Sequence, residues 1–436
     1  MTPFDIGLIA IGVLVLLILI GMPIGIGMLA VSCVGVLFIR NETVAIRMMT
    51  QVANDSLEEY LFAVVPLFVL MGLLVTVSGV GKDTFDVFQK MLRRITAGLG
   101  VATVFANAVF AAITGISIAS ATVFSRIAVP EMRRHGYTRS FSTGVVAGSS
   151  VLGMLIPPSL LMIVYAVLAE QSVGRMFLAG IGPGLLLAVA FTITILLLAW
   201  SQRSFVFEGH DDATYDDIGL VDVIRKSIPI FSLMVVVLGG LYGGFLNPTE
   251  AGAAGAFGAL VIAVMRRSLD RATFWRLLVE TGQITVSVLF LILAATFFSR
   301  MLALSGVPRE LSELFLSGNI GPYGFLVAYI VLIVALGCLI DSISIMLIVL
   351  PIALPIADAA AFDLIWFGVI TVIAVEIGLL TPPFGLSVYT IKSAMDDPDL
   401  KVGEIFRGAV PFILAMLATL AVIVVFPSIA TWLAQN

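Results

Sequence analysis

Charged residues are scarce in this chain. Only 12% of its 436 residues are Asp, Glu, Lys or Arg, whereas 60% are hydrophobic. A soluble domain has about 25% charged residues, because its surface must be solvated. The shortage excludes a soluble enzyme and a disordered chain, and the net charge of −5 argues against a nucleic-acid-binding protein. Uncharged runs without alternation exclude a transmembrane β-barrel.

Cysteine and histidine are also rare, with two of each. Cys33 and Cys338 lie in apolar runs, so a disulfide framework or a metal cluster is not expected. We predict that His135 and His210 lie in loops, which leaves no buried histidine for general-base catalysis. The sequence therefore indicates that the chain is not an enzyme.

Long apolar runs are abundant and predict an all-α polytopic membrane protein. Residues 6–39 carry no charge and are interrupted by Gly21-Met22-Pro23, which predicts two spans. With these two, about ten crossings of about 20 residues are expected. The remaining eight are predicted at 58–79, 141–169, 176–201, 228–246, 250–265, 284–304, 364–392 and 408–432.

Two further segments, 98–130 and 322–356, are predicted to be re-entrant hairpins. Basic residues flank the first on both sides, so both flanks are expected in the cytoplasm. The uncharged run 95–125 has 31 residues, which is too short for two crossings. The second segment has almost no basic flank, so we expect it to enter from the opposite side.

Lysine and arginine define the expected orientation. Eighteen of the 23 basic residues fall in the predicted cytoplasmic segments, and both termini are then expected outside the cytoplasm. Those segments are 80–97, 126–140, 202–227, 266–283 and 392–407.

An internal repeat is visible in the glycines and prolines. Gly153 and the pair Pro157-Pro158 match Gly378 and Pro382-Pro383 at an offset of 225 residues, and Gly115 matches Gly337 at 222. We predict two repeats, with five crossings and one hairpin each. Since five is odd, the repeats should be inverted in the membrane, as in secondary transporters. The predicted first repeat (1–210) holds hairpin 98–130 and broken helix 141–169, and the second (211–436) holds hairpin 322–356 and broken helix 364–392.

Small and hydroxyl residues concentrate in the hairpin centres and beside the double prolines. Hairpin tips and broken helices leave backbone carbonyls free, and these oxygens together with hydroxyls can coordinate Na⁺. The same residues can also serve only for close helix packing, and the prolines only for a kink. The candidate Na⁺ ligands are Thr114, Gly115, Ser117, Ser120, Ser149, Ser150, Gly153, Pro157, Gly337, Asp341, Ser342, Gly378, Thr381 and Pro382.

Ionisable residues within spans are few and costly, so each is a functional candidate. Asp341 lies at the second hairpin centre, Glu376 precedes the second double proline, and Arg300 ends a span. Glu376 can instead be paired internally, and Arg300 can extend to the interface. The candidate substrate ligands are Ser117, Ser159, Arg300, Asp341 and Thr381.

Four segments resemble the large membrane subunit of TRAP (tripartite ATP-independent periplasmic) transporters. They are Pro66 to Gly72, Gly115 to Met132, Ile156 to Ser159 and Thr381 to Gly385. The resemblance implies a Na⁺-coupled elevator fold in a bacterial inner membrane, with both termini periplasmic. It implies Na⁺ between each hairpin tip and its broken helix, and substrate between the tips.

The resemblance also implies partners, namely a small four-helix membrane subunit and a periplasmic binding protein that delivers a small carboxylate such as a dicarboxylate. Na⁺ is the expected coupling ion, and no organic cofactor is expected. Three other functions are considered from the sequence: a channel for ions or water, a stand-alone sodium/dicarboxylate symporter, and an intramembrane enzyme, which the missing nucleophile–base pair disfavours.

Overall fold

The protein is helical throughout the part that the structure describes. This computed structural model describes residues 1–208, 219–317 and 321–435. The only β-structure among these residues is an isolated bridge between Tyr137 and Phe207. The predicted all-α membrane fold is confirmed. His210 and the expected boundary between the repeats lie outside the described residues.

Twelve α-helices precede the segment 209–218, with a 3₁₀ helix, Tyr60–Ala63, immediately before the fourth. Their starts follow capping rules: the Thr2 hydroxyl and the Asp5 carboxylate close a capping box at α1. The helices are α1 (Pro3–Leu19), α2 (Ile24–Ile39), α3 (Glu42–Glu58), α4 (Val64–Val77), α5 (Val80–Leu92), α6 (Gly98–Thr114), α7 (Ser117–Arg134), α8 (Arg139–Ser150), α9 (Leu152–Leu155), α10 (Leu160–Leu168), α11 (Val173–Ser201) and α12 (Arg203–Val206).

Eleven helices follow that segment. A π-helical turn, Val235–Gly239, joins the first two of them. The helices are α13 (Leu220–Met234), α14 (Gly240–Tyr242), α15 (Pro248–Met265), α16 (Arg271–Ser305), α17 (Val307–Ser317), α18 (Gly321–Gly337), α19 (Ser342–Ala359), α20 (Leu364–Leu380), α21 (Leu386–Ala394), α22 (Val402–Val425) and α23 (Ser428–Gln435).

Every predicted span coincides with one helix or with two or three consecutive helical segments. The break at Gly21-Met22-Pro23 is confirmed, since α1 ends at Leu19 and α2 begins at Ile24. Among the described residues, six helices are long and apolar enough to cross a membrane unaided. The pair Arg139–Leu155 and Leu160–Leu168, bent by 42°, makes a seventh. Five apolar helices are shorter, with 16 or 17 residues each.

Three amphipathic helices were not predicted from the apolar runs. They are α3, α5 and α17, each of which mixes charged and apolar residues. In α5, Val80 and Phe85 are buried whereas Lys82 is exposed. A hydropathy average misses such helices because their mean hydropathy is near zero. Their apolar residues nevertheless recur with the period of a helix.

Each predicted hairpin consists of two helices in mutual contact. Gly115 and Ile116 separate α6 from α7, and residues 338–341 separate α18 from α19. Gly115 has φ +63°, a left-handed conformation that favours glycine. The side of the membrane from which each pair enters stays a prediction.

Ion pairs connect all five of the predicted cytoplasmic segments. Asp83 and Asp86 of α5 pair with Arg266 and Lys226, each at 2.5 Å. Arg133 also pairs with Glu208, and Arg139 lies 3.6 Å from Asp397. These segments therefore meet on one side of the molecule, as the orientation argument requires.

The prediction that His135 lies in a loop is confirmed, since it sits in the turn after α7, but the expectation that no histidine is buried was wrong. His135 caps the C-terminus of α7, its side chain is buried, and its Nε2 lies 3.4 Å from Glu131. In the same turn, Tyr137 stacks on Phe141. This position is among the basic segments described above, away from the hairpin tips.

The interior of the protein is built around α20. All of its residues from Ile365 to Leu380 are buried. Close approach of helices depends on glycine: a Cβ at Gly144 of α8 would lie 2.1 Å from the carbonyl oxygen of Gly408 in α22. Small residues at such crossings are typical of membrane helices, which gain little from hydrophobic burial against one another.

Candidate transport site

The first hairpin tip packs directly onto the first double-proline segment. The Leu160 amide donates a hydrogen bond of 3.2 Å to the Gly115 carbonyl. A Cβ on Gly115 would lie 2.4 Å from the Pro158 carbonyl oxygen, and one on Gly153 would lie 3.2 Å from the Ser117 nitrogen. The tip of 98–130 and the break of 141–169 thus form one unit.

The second hairpin tip packs onto α20 through a pair of glycines. A Cβ on Gly337 would lie 2.6 Å from the Cα of Gly378, and the reverse distance is the same. Both double prolines, Pro157-Pro158 and Pro382-Pro383, have cis peptide bonds. In both halves, therefore, a hairpin tip lies against the helix that precedes a double proline.

One turn of α20, residues 375–378, reaches both hairpin tips. Gly378 and the Val375 carbonyl face Gly337 of the second tip. Glu376, on the same turn, is approached by the hydroxyl of Ser117 from the first tip, with geometry short of a hydrogen bond. Tertiary structure thus joins four segments that are far apart in sequence.

Several of the predicted hydroxyl ligands donate to nearby backbone carbonyls. Thr381 donates to the Ile377 carbonyl at 2.7 Å, and Ser159 donates to the Met154 carbonyl before the first break. The other hydroxyls of this kind are Thr114, which donates to Phe110 at 3.1 Å, Ser150, which donates to Ala147 at 2.9 Å, and Ser149, which donates to Val146 at 3.5 Å. A hydroxyl that donates in this way keeps its lone pairs as acceptors, so it can still coordinate a cation.

Other polar atoms at the first tip are buried and unpartnered. The Asn107 amide nitrogen donates to the Ser149 hydroxyl at 2.6 Å, but the Asn107 Oδ1 has no partner. The hydroxyls of Ser117 and Ser120 also lack one. Buried oxygens without donors are costly unless something else satisfies them. Oxygen ligands of this kind suit a hard cation, so the residues present fit Na⁺.

The two breaks differ in exposure. Pro157, Pro158 and Ser159 are buried, whereas Pro382 and Pro383 are exposed and Thr381 is half-buried. Asp341, at the second tip, is exposed and accepts a hydrogen bond of 3.1 Å from the Ser344 amide as the cap of α19, and Ser342 beside it is buried. The second tip is thus the accessible part of the site.

Arg300 is not brought to this site. Its Nη2 lies 2.7 Å from Asp55 Oδ2 in α3, and both side chains are partly exposed. Glu376, in contrast, was not among the predicted ligands, but the structure places it beside Ser117. Its signal in the sequence was a lone acid in an apolar run of α20.

The sequence matches the family described as "Tripartite ATP-independent periplasmic transporter, DctM component" over residues 11–429. The chain belongs to this family. Relatives of the TRAP large permease type include a C4-dicarboxylate TRAP transporter large permease protein of Rhodobacter capsulatus, 32% identical over 97% of each chain. Another, of Pseudomonas aeruginosa, is 31% identical over 88% of this chain and 89% of the relative.

Relatives of this TRAP permease differ in what they carry. The ectoine TRAP transporter large permease protein of Halomonas elongata is 28% identical over 96% of each chain. Among solved structures, the Alcanivorax borkumensis YdaH transporter matches with a TM-score of 0.61 and 13% identity, covering 91% of this chain and 90% of that chain. This likeness shows a shared fold.

Proposed function

We propose that this TRAP large permease imports a small organic acid, a dicarboxylate or a similar carboxylate, coupled to Na⁺. It works with a small four-helix membrane subunit and with a periplasmic binding protein that delivers the acid. It resides in a bacterial inner membrane with both termini periplasmic. The families of its relatives and the tripartite description support these partners.

The observation that carries this proposal is the meeting of both hairpin tips at residues 375–378 of α20. Such paired tips and broken helices are where secondary transporters bind ions and substrate. Bound Na⁺ supplies positive charge beside an anionic substrate. The first tip and its facing break offer Ser117, Asn107 and Gly153 as oxygen ligands, and the second tip and its facing break offer Asp341 and Thr381.

The substrate carboxylate is placed between the tips, at the N-terminus of α7. The residue that precedes α7, Ile116, provides no side-chain cap, so the first amides of this helix are available to an anion. Asp341 already caps α19, which makes that acid better suited to a cation. Relatives named for C4-dicarboxylates and for sialic acid carry acids of this class.

Alternating access follows from the shared turn of α20. Because both tips contact it, the hairpins and broken helices move together as a transport domain. The remaining helices, among them α1, α2 and α16, serve as the scaffold, since α16 packs along α2 and contacts the tips' helices mainly through α19. This is the elevator arrangement, with two repeats of inverted topology.

The test is Na⁺-driven uptake of radiolabelled succinate into proteoliposomes containing the permease, its small membrane subunit and its binding protein. Ser117→Ala, Asp341→Ala and Thr381→Ala should each lower uptake about tenfold or more. A ligand that contributes about 1.4 kcal/mol to binding changes the affinity tenfold when it is lost. Thr285→Ala, a hydroxyl of α16 outside the site, should retain uptake. Normal uptake in all three site variants would overturn the assignment, and ion flux without saturable uptake would favour a channel.

A further inference from the structure

Glu376 is a buried acid that the proposed ion ligands do not include. Its side chain is 0% exposed, and neither carboxylate oxygen has a hydrogen-bond partner. Among the described residues, no lysine or arginine forms an ion pair with it. Burying an isolated carboxylate in such surroundings is costly, because neither an opposite charge nor a hydrogen bond replaces its lost hydration.

The neighbour that reaches this carboxylate belongs to the other half of the chain. Ser117 is the first residue of α7, and its hydroxyl is itself buried without a partner. Gly378, two residues further along α20, lies against the second hairpin tip. Glu376 therefore lies on the turn of α20 that reaches both tips, with the unpartnered hydroxyl of Ser117 beside it.

We propose that Glu376 is the anionic ligand of the Na⁺ ion at the first hairpin tip. This inference rests on the proposed function. With Na⁺ bound, the carboxylate and the ion form a neutral pair, which can cross the membrane inside the transport domain. Without Na⁺, the domain carries a bare buried charge, and its movement is opposed by the cost of moving that charge through a low-dielectric region.

Ser117 and Glu376 therefore have different roles. The serine hydroxyl contributes to Na⁺ affinity, whereas the carboxylate makes movement conditional on Na⁺. Removing the hydroxyl should weaken ion binding but keep the requirement for Na⁺. Removing the charge should allow the empty domain to move, so that transport is no longer coupled to the ion.

The experiment uses Glu376→Gln, which preserves shape and removes the charge, with Glu404→Gln at the start of α22 as the matched control. The number of ²²Na⁺ ions bound per chain is measured in nanodiscs, and succinate counterflow in proteoliposomes is measured with and without Na⁺. We expect Glu376→Gln to bind one ion fewer and to show counterflow in Na⁺-free buffer. Glu404→Gln should match the wild-type protein in both, and Ser117→Ala should show weaker binding with no Na⁺-free counterflow.

The outcomes separate this inference from the proposed function. If Glu376→Gln keeps the uptake, the number of bound ions and the Na⁺ requirement of the wild-type protein, this inference is overturned and the proposed function is not. Glu376-dependent Na⁺ binding without any Na⁺-driven uptake supports the ligand and overturns the proposed function. If Glu376→Gln does not fold, Glu376→Asp decides: its shortened side chain should weaken Na⁺ binding, and unchanged affinity overturns the inference.

Discussion

At the residue scale, the site depends on positions where no side chain fits. Gly115 combines φ +63° with a space too small for a Cβ, because the Pro158 carbonyl would lie 2.4 Å away. Both the backbone conformation and the contact therefore require glycine. The contact cannot be read from the sequence, since Pro158 lies 43 residues further along the chain.

Gly115→Ala should destabilise the protein by about 1–3 kcal/mol, because alanine is strained at this φ and collides with a backbone oxygen. Thermal unfolding in detergent and succinate uptake are the measurements, and both should fall. Gly282→Ala in α16 is the control, since nothing lies within 4 Å of that position and alanine favours a helix by about 0.5–1 kcal/mol. Equal stability of the two variants would contradict the contact.

The polar residues show why residue types alone do not identify ligands. Arg300 and Glu376 are both ionisable groups within apolar stretches, and both were reasonable candidates. Arg300 pairs with Asp55 near one end of α16, whereas Glu376 faces Ser117 in the interior. The difference arises from where each helix lies, which depends on contacts between distant segments.

At the element scale, glycine crossings hold the two halves of the chain together. Helix α8, which leads to the first double proline, packs along α22 with Gly144 against Gly408. The backbone contact brings their amide and Cα groups together without intervening side chains, as in other closely packed membrane helices. Hydropathy located both helices, but it did not indicate that they are neighbours.

Gly408→Ala should therefore loosen the fold and not merely the ion site. A Cβ there would lie 1.9 Å from the Ser140 carbonyl oxygen, so the helices must separate, at a cost of about 1–3 kcal/mol. The unfolding midpoint and the yield of monodisperse protein should both decrease. Gly403→Ala, in the first turn of the same helix, has nothing within 4 Å and should behave like the wild-type protein. A stable Gly408→Ala protein would show that this crossing is looser than described.

At the scale of the whole molecule, charge defines one side. Ion pairs such as Arg266–Asp83 and Arg139–Asp397 link segments that are distant in sequence and that each contain basic residues. Individually, such partly exposed pairs contribute about 0–1 kcal/mol. Their importance is that they place all five segments on the face predicted to be cytoplasmic.

Orientation can be tested with single cysteines in a background of Cys33→Ser and Cys338→Ser. Lys90→Cys and Arg134→Cys flank α6 and α7, so an impermeant thiol reagent should label both from the cytoplasmic face. Asn41→Cys, between α2 and α3, should be labelled from the opposite face. If positions 90 and 134 react from different faces, α6 and α7 cross the membrane and do not form a re-entrant hairpin.

The sequence by itself determined the membrane class, the positions of nearly all apolar helices and the breaks at Gly21-Met22-Pro23 and at both double prolines. These features depend on local composition, so short windows of sequence contain them. The amphipathic helices α3, α5 and α17 were missed for the same reason, because their apolar residues are interleaved with charged ones.

Only the tertiary structure decided the surroundings of the few charged residues within the apolar stretches. Glu376 lies beside Ser117, whereas Arg300 pairs with Asp55. In the sequence, Glu376 and Arg300 are both rare charged residues within apolar stretches. The physical reason is that a side chain's partner depends on helix packing, which arises from contacts between segments far apart in sequence. The scarcity of charged residues identified the candidates in the sequence, and helix packing determined which residues surround each of them.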